Sequence, residues 1–313
     1  MKINFIGTDA PLEGYSHVIN AFNRVLAPYL DPQAPVTVHH ATPNRLVRSG
    51  KIAIASSMIE GDRLSARYVA NINTFNGLLV PCPQNVQAMR DSGVTIPIKP
   101  VRHGTRILPL TNKRPGTRYV FGHLSKPAAH KNLPFLIEAF VNEFTPDEPV
   151  ELHLKLRGDI LPRFLVSDPR VKIIWRDFTE FELKDWYQGI DCFVFPSHAE
   201  GDGLPTKEAM SAGLPVILTN WGGLAQQADE RYNFPLKIDG LIQQPDLPPW
   251  NGEGKWADPD FDELCRLMRF CYEHPEEARM RGQAAAKWMR SEWAWESVAP
   301  GFMQAVKEIV EGK

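Results

Sequence analysis

The chain has 313 residues, 43% hydrophobic and 23% charged, with a formal net charge of −2. That length accommodates two domains of ordinary size, and the balance excludes a disordered or fibrous chain. No apolar run reaches the ~20 residues that a bilayer crossing needs, and the opening seven residues lack the length and cleavage site of a signal peptide, so a cytoplasmic location is expected.

Residues 2–7 read as a strand, followed through a loop at 8–14 by an amphipathic helix to about 29, with Val18, Phe22, Val25 and Leu26 on one face. This is a Rossmann-type opening without the Gly-x-Gly-x-x-Gly fingerprint, which leaves a nicotinamide site unsupported. Gly14 is either a tight turn or a point where backbone approaches a ligand. Strands are expected at 36–40, 51–56, 76–81 and 96–102. Helices are expected from 64 to about 73 and over 84–92, the second closed by Gly93. Residues 108–118, rich in proline and polar turn formers, read as an interdomain linker. The domains are accordingly set at 1–110 and 119–295 about a linker at 111–118, with a terminal helix in 296–313. The second unit opens with a strand at 119–123 and a helix at 133–144. Strands follow at 151–157, 172–176, 192–195 and 215–219. Further helices are expected at 183–189 and 204–213, from Gly222-Gly223, over 258–271 opened by Asp258-Pro259, and over 276–290.

The chemistry concentrates in residues 191–210. Cys192, Phe193, Val194 and Phe195 form a short apolar strand stopped by Pro196. A glycine-bearing loop follows, then a helix with Pro205 in its first turn and Gly213 at its end. Free backbone N–H groups at such a helix start suit a phosphate. Glu200 and Glu208 frame the loop with seven residues between them. On a continuous helix they would stand about 12 Å apart along the axis; the loop breaks that helix, so both can face one ligand. The joint of strand, glycine loop and helix is common by itself.

The full string Glu200-Gly201-Asp202-Gly203-Leu204-Pro205-Thr206-Lys207-Glu208, after Pro196-Ser197, resembles the Glu-x7-Glu motif of retaining glycosyltransferases of family 4. The resemblance is good from about residue 119 onward and thin before 51. It implies an α/β GT-B fold, two Rossmann-like domains facing a cleft, here with a short N-terminal domain and a last helix that crosses back to it. It implies metal-independent, hexosyltransferase-like transfer from a nucleotide-diphosphate sugar to an acceptor hydroxyl, the leaving diphosphate taking the acceptor's proton on the same face. The nucleotide sugar is a substrate, and no cofactor is expected. Carried over residue by residue, Glu208 holds the ribose hydroxyls and Glu200 stands beside the donor sugar. Lys131 and the backbone N–H groups of Gly203 and Leu204, with Gly201 in the same loop, face the diphosphate, where negative charge grows. A cation at a helix start opposes the helix dipole, which makes sense for Lys131 if an anion lies there. The arginine usual a few residues before this lysine is missing. The segment offers His123, Lys126 and His130, of which Lys126 is the substitute, a point charge without the bidentate fork. The family's N-terminal histidine has no counterpart after the third strand. Glu60 and Asp62 stand there, either as contacts to the acceptor or as part of a solvated loop. Metal-dependent transferases use an Asp-x-Asp cluster. Asp258-Pro259-Asp260 reads instead as a helix cap, so no metal is expected.

Charge is unevenly spread: residues 1–118 carry 14 Lys+Arg against 6 Asp+Glu, and the remainder 21 against 31. Arg45, Arg48 and Lys51, then Arg63 and Arg67, then Lys99, Arg102 and Arg106 form three local clusters. They suggest an anionic acceptor or surface: a phosphorylated glycan, a lipid-linked acceptor at an anionic membrane face, or nucleic acid, each bound electrostatically. The plain alternative is a solvated basic face. Two other functions stay open: a non-catalytic nucleotide-sugar or carbohydrate-binding module on the same fold, and a sugar-nucleotide epimerase. Cys82, Cys192, Cys265 and Cys271 show no metal-type pairing and read as free thiols.

Overall fold

Short apolar strands alternating with amphipathic helices build two parallel sheets in the computed structural model, which describes residues 1–8, 13–111, 116, 118–157, 167–246 and 253–312. The first half comprises β1 (Asn4–Gly7), α1 (Glu13–Val25), β2 (Val36–His40), β3 (Ile52–Ser56), α2 (Ala66–Ile72), β4 (Gly77–Val80), α3 (Pro83–Asp91) and β5 (Ile98–Pro100). Its strands lie in the order β1-β2-β3-β4-β5. Strand alternation sends Ile54 and Leu79 to one face, under α1, and Ala53, Ala55, Leu78 and Val80 to the other, under α2 and α3. Beyond β1 the chain leaves a remnant of one more strand. Ile3 donates to the Tyr29 carbonyl and accepts from the Asp31 N–H, on the edge opposite β2, where Leu30 makes a single parallel bridge. The winding therefore reverses at β1, and the carboxyl ends beside such a reversal are where open α/β sheets bind ligands.

The second half comprises β6 (Tyr119–Ser125), α4 (Leu133–Glu143), β7 (Val150–Leu156), β8 (Val171–Trp175), α5 (Glu180–Gly189), β9 (Cys192–Phe195), α6 (Leu204–Ser211), β10 (Val216–Thr219), β11 (Phe234–Leu236), β12 (Ile238–Gln243), β13 (Lys255–Pro259), α7 (Phe261–Glu273), α8 (Pro275–Glu292) and α9 (Trp295–Val310). The six-stranded sheet runs β11-β10-β9-β6-β7-β8, with its reversal between β6 and β9. The loops leaving these two central strands are the ones that carry Lys131 and Glu200. Helix α9 returns to the first sheet. Its Trp295, Val298, Phe302, Val306 and Ile309 share a core with Phe22, Val38 and Ile54. All four cysteines are buried and free.

Several expectations are corrected. The first helix stops at Val25, and a 3-10 turn over Ala27–Tyr29 follows, where Pro28 removes a backbone donor. Gly14 lies inside α1 rather than in a turn, and a methyl group there would meet nothing within 4 Å. Gly222-Gly223 opens only a 3-10 turn, Gly222–Leu224. Asp258-Pro259 ends a strand instead of starting a helix, and Asp260 alone caps α7 by accepting from the Glu263 N–H at 2.9 Å. Sequence reasoning missed β11 and the antiparallel hairpin β12–β13. β11 holds a proline, tolerable because it is an edge strand. Linker positions 112–115 and 117, and loop positions 9–12, lie outside the described residues.

The basic clusters of the first half are partly met from within the chain. Lys99 pairs with Glu308 at 2.6 Å, Arg24 with Glu296 at 3.2 Å and Arg102 with Glu292 at 3.6 Å, all on the last two helices. Arg48 and Arg63 donate to the backbone carbonyls of Thr74 and Asp91.

Candidate active site

β9 is four buried apolar residues, and Pro196 prevents the ladder from continuing. The chain then turns across the end of β6. Gly203 adopts φ +83, a region that L side chains rarely occupy, and a methyl group on it would stand 2.3 Å from Leu224. Gly223 is just as constrained, since its added methyl would lie 2.4 Å from the Gly201 backbone. Gly203 and Gly223 thus let two loops press together. The Glu200 carbonyl accepts from the Gly223 N–H at 2.8 Å across that contact.

Glu200 is 7% exposed. Its Oε1 accepts from Lys131 Nζ at 2.5 Å and from Ser197 Oγ at 2.9 Å. Lys131 ends a 3-10 turn, Ala129–Lys131, and its ammonium lies 5.4 Å from the centre of the Phe195 ring. Asn132, at φ 55, switches the chain into α4. The two residues matched from separate stretches of sequence therefore form one ion pair at the sheet's reversal. Lys126 is exposed on the same loop. His123 is not at the mouth: it is buried, with Nδ1 on the Val194 carbonyl at 2.9 Å and Nε2 on Ser125 Oγ at 2.9 Å. Burial first, and Lys131 further, push His123 down to about 4, against the hydrogen bond it makes to the Val194 carbonyl. His130, also buried, is pushed down to about 3 by burial and the neighbouring Lys131. Its Nε2 lies 3.9 Å from Glu60 across the domain interface.

Glu208 stands on α6 with a different set of partners. Tyr187 Oη on α5 donates to Oε2 at 3.2 Å, and Arg106 Nε from the end of the first domain lies 3.5 Å from Oε1. Helix α5 is started firmly by a reciprocal cap between Thr179 and Glu182. Burial raises Glu208 above its usual range, and Arg106 opposes that rise. Half-buried Arg157, just after β7, is lowered by burial, with Asp177 and Glu208 acting the other way. Leu204 begins α6 with its side chain against the first-sheet core, so its N–H stands at the junction of both domains.

Between the two glutamates lies a pair that motif reading passed over. Lys207 is 0% exposed and donates to both Asp202 oxygens, at 2.8 and 2.7 Å, and to the His103 carbonyl at 3.0 Å. His103 Nδ1 is 3.7 Å from the same carboxylate. Burial raises Asp202, but Lys207 and His103 outweigh it and hold the carboxyl below its usual value. Lysine is rarely fully buried, so sequence carried no signal for this pair beyond its place inside the motif. Tyr187 was missed because its partner Glu208 is far away in sequence, and Arg106, grouped in sequence with the basic cluster, lies beside Glu208 instead.

The domains also meet through the hairpin. Lys255 N–H donates to Asp62 Oδ1 at 2.7 Å, and Ser65 Oγ to Glu253 Oε1 at 3.0 Å. A cavity of about 140 Å³ remains between Asp62, α3, Glu200 and Trp221. Among the described residues no cluster of three or more His, Cys, Asp or Glu is placed to hold a metal, and no helix is long and apolar enough to cross a membrane.

Residues 118–245 match the family model described as glycosyl transferases group 1. A D-inositol 3-phosphate glycosyltransferase of Paenarthrobacter aurescens is 28% identical over 131 residues, 42% of this chain and 27% of that protein. The lipopolysaccharide core biosynthesis mannosyltransferase LpsB of Rhizobium meliloti is 43% identical over 44 residues, 14% of this chain and 12% of that protein. The matched segments thus span well under half of these relatives. Among solved structures, Anabaena HepE in complex with UDP and glucose superposes with a TM-score of 0.72 at 13% identity, over 98% of this chain and 100% of that one. Sucrose-phosphate synthase of Thermosynechococcus elongatus gives 0.68 at 16% identity, over 98% and 82%. Both share the fold of two facing parallel sheets.

Proposed function

We propose that the chain is a group 1 glycosyltransferase whose cleft moves a sugar from a nucleotide-diphosphate sugar to an acceptor hydroxyl with retention. The observation that carries this reading is the Lys131–Glu200 pair at the reversal of the second sheet, beside the free N–H groups that start α6. Lys131 and the N–H groups of Gly203 and Leu204 offset charge growing on the leaving diphosphate. Glu200 orients the donor sugar, and Gly201 keeps its loop close-packed. Glu208 accepts from the ribose hydroxyls, with Arg106 holding its carboxylate ionised. Lys126 adds a mobile positive charge at the mouth, and Glu60 faces the acceptor side. Gly14 contributes at most its place in the first turn of α1.

The base is open to direct test. The HepE complex makes uridine the first choice. Incubation with UDP-, GDP- and ADP-sugars, with release of nucleotide diphosphate as readout, tests the reading. Slow release into water by the wild type, reduced in Glu208→Ala, is expected. No release from any donor, with nucleotide still bound, would instead support a non-catalytic binding module. That second reading draws on the missing arginine and on the burial of His123 and His130.

An anionic acceptor or surface is what the charge of the first half favours. Exposed Arg45, Lys51 and Arg67 support it, while the pairing of Arg24, Lys99 and Arg102 with the last helices draws on the same excess. Acceptor affinity that falls steeply with salt, and falls further in the double variant Arg45→Ala/Arg48→Ala, is its signature.

A further inference from the structure

The β12–β13 hairpin ties the two domains together along one strand edge. β12 covers one edge of β13, and the N–H groups of Lys255 and Ala257, two residues apart, point to the other. Each is taken by a different domain. Ala257 N–H donates to the His198 carbonyl at 3.0 Å, in the loop of Glu200. Lys255 N–H donates to Asp62 Oδ1 at 2.7 Å, in the first domain. Both bonds are returned: His198 Nδ1 donates to the Ala257 carbonyl at 2.7 Å, and the Asp62 N–H to the Lys255 carbonyl at 3.4 Å. Gly61 permits this approach, since a methyl group on it would run into Gln244 Nε2 and lie 3.3 Å from the Lys255 carbonyl oxygen.

Trp256 extends this tie into a layer. Its indole, 2% exposed, lies nearly parallel to the His198 ring, with centres 6.0 Å apart, and meets the His130 ring edge-on at 6.0 Å. The His198 N–H donates to the His130 carbonyl at 2.8 Å. His130 immediately precedes Lys131, and His198 stands two residues before Glu200. The backing of both loops is therefore one hydrogen-bonded layer of β13, His198 and His130. The first domain grips that layer through Asp62 at one end and approaches it with Glu60, 3.9 Å from His130 Nε2, at the other. We propose that Asp62 is a positioning residue: by holding the outward edge of β13 it fixes the Trp256–His198–His130 layer against which Lys131 and Glu200 are set. Its kinetic consequence rests on the glycosyltransferase reading, and its structural consequence rests on the hairpin alone. The Asp62 bond is exposed and so contributes little to stability. A displacement of about 1 Å in a reacting group, in contrast, costs a large factor in rate. The two effects therefore separate in measurement.

The test compares Asp62→Ala with Asp62→Asn in the full chain. Asp62→Ala should lower kcat for donor turnover about tenfold. Its nucleotide affinity should stay within about threefold of wild type, because several contacts share the binding. Its melting temperature should stay within ~3 °C. Asp62→Asn keeps an acceptor at Oδ1 and should return kcat to within about threefold of wild type. Fluorine NMR of protein labelled with fluorotryptophan gives a readout that needs no turnover. The Trp256 resonance, assigned with Trp256→Phe, should be one sharp line in the wild type and in Asp62→Asn, and should shift or broaden in Asp62→Ala. An unchanged Trp256 line in Asp62→Ala, or a kcat within about twofold of wild type, would overturn the assignment. So would a loss that Asp62→Asn fails to recover, since that would implicate the charge and not the strand-edge bond. Absence of turnover from every donor in the wild type would remove the transferase reading, and the Trp256 line would still decide whether Asp62 holds the layer.

Discussion

Two lysine–carboxylate pairs anchor the loop after β9 and behave as opposites. Lys131–Glu200 sits at the cleft, with side chains 15% and 8% exposed, while Lys207–Asp202 is sealed at 0% and 4%. The first joins two loops of one domain beside the cleft. The second carries both oxygens of Asp202 and a carbonyl of the other domain on one ammonium. An open pair can exchange its partner for a ligand at little cost. A sealed pair cannot, because each charge would be left without water. The motif therefore holds one contact near the cleft and one sealed contact that ties it to the first domain.

Breaking the sealed pair is the most damaging change. Lys207→Met leaves Asp202 buried beside an apolar chain and should cost about 3–5 kcal/mol, read as a drop in melting temperature. Asp202→Asn/Lys207→Met should recover much of that loss, since removing both charges is often near neutral. A single variant that melts like wild type would show that the pair holds nothing together.

Acid should separate the two pairs in order. His123 and His130 are held neutral, at about 4 and about 3, below their unfolded value of 6.5. A depressed histidine contributes stability above pH 6.5, and that stability is lost as pH falls toward the folded value, at about 1.4 kcal/mol per pH unit for each group. Both histidines stand on the Lys131 side. Asp202, lowered below its usual 3.8, keeps its charge through that window and gives way only below it. Unfolding midpoints measured from pH 7 to 4 should fall throughout, and a flat profile would contradict the neutral histidines.

At the open pair, Lys131→Ala should weaken nucleotide-diphosphate binding by about 1–3 kcal/mol while changing stability little. Titration calorimetry showing wild-type affinity would remove Lys131 from the diphosphate site. The smallest effect is expected at Glu208. Its raised value means that burial disfavours its charge, so Glu208→Gln should keep or slightly raise the melting temperature, by the equivalent of at most about 1 kcal/mol, while nucleotide affinity falls. Loss of stability there would make Glu208 a structural acid.

The parts legible in sequence are those in which a residue's neighbours along the chain decide its state. Strand alternation at 52–56, the stop at Pro196 and the helix start at Pro205 all follow from local backbone rules. So did the motif, because its two glutamates and its glycines lie within nine residues. The misreadings came from local signals that long-range pairing overrode. Asp258-Pro259 has the chemistry of a helix start, yet antiparallel pairing with β12 holds it extended. Charge counts along the chain could not reveal that Glu292, Glu296 and Glu308 would return to face Arg102, Arg24 and Lys99.

Sequence alone therefore determined the α/β alternation, the strand, glycine loop and helix after β9, and the motif match that singles out Glu200, Glu208 and Lys131. Only the tertiary structure decided that Lys131 meets Glu200, that Lys207 is buried on Asp202, and that Asp62, Gln87 and Asp91 close a cavity against Glu200. The physical reason is the same in each case. Burial, and the partner that makes a buried charge tolerable, are set by segments that meet through the sheet order, and no local pattern of residues encodes that meeting.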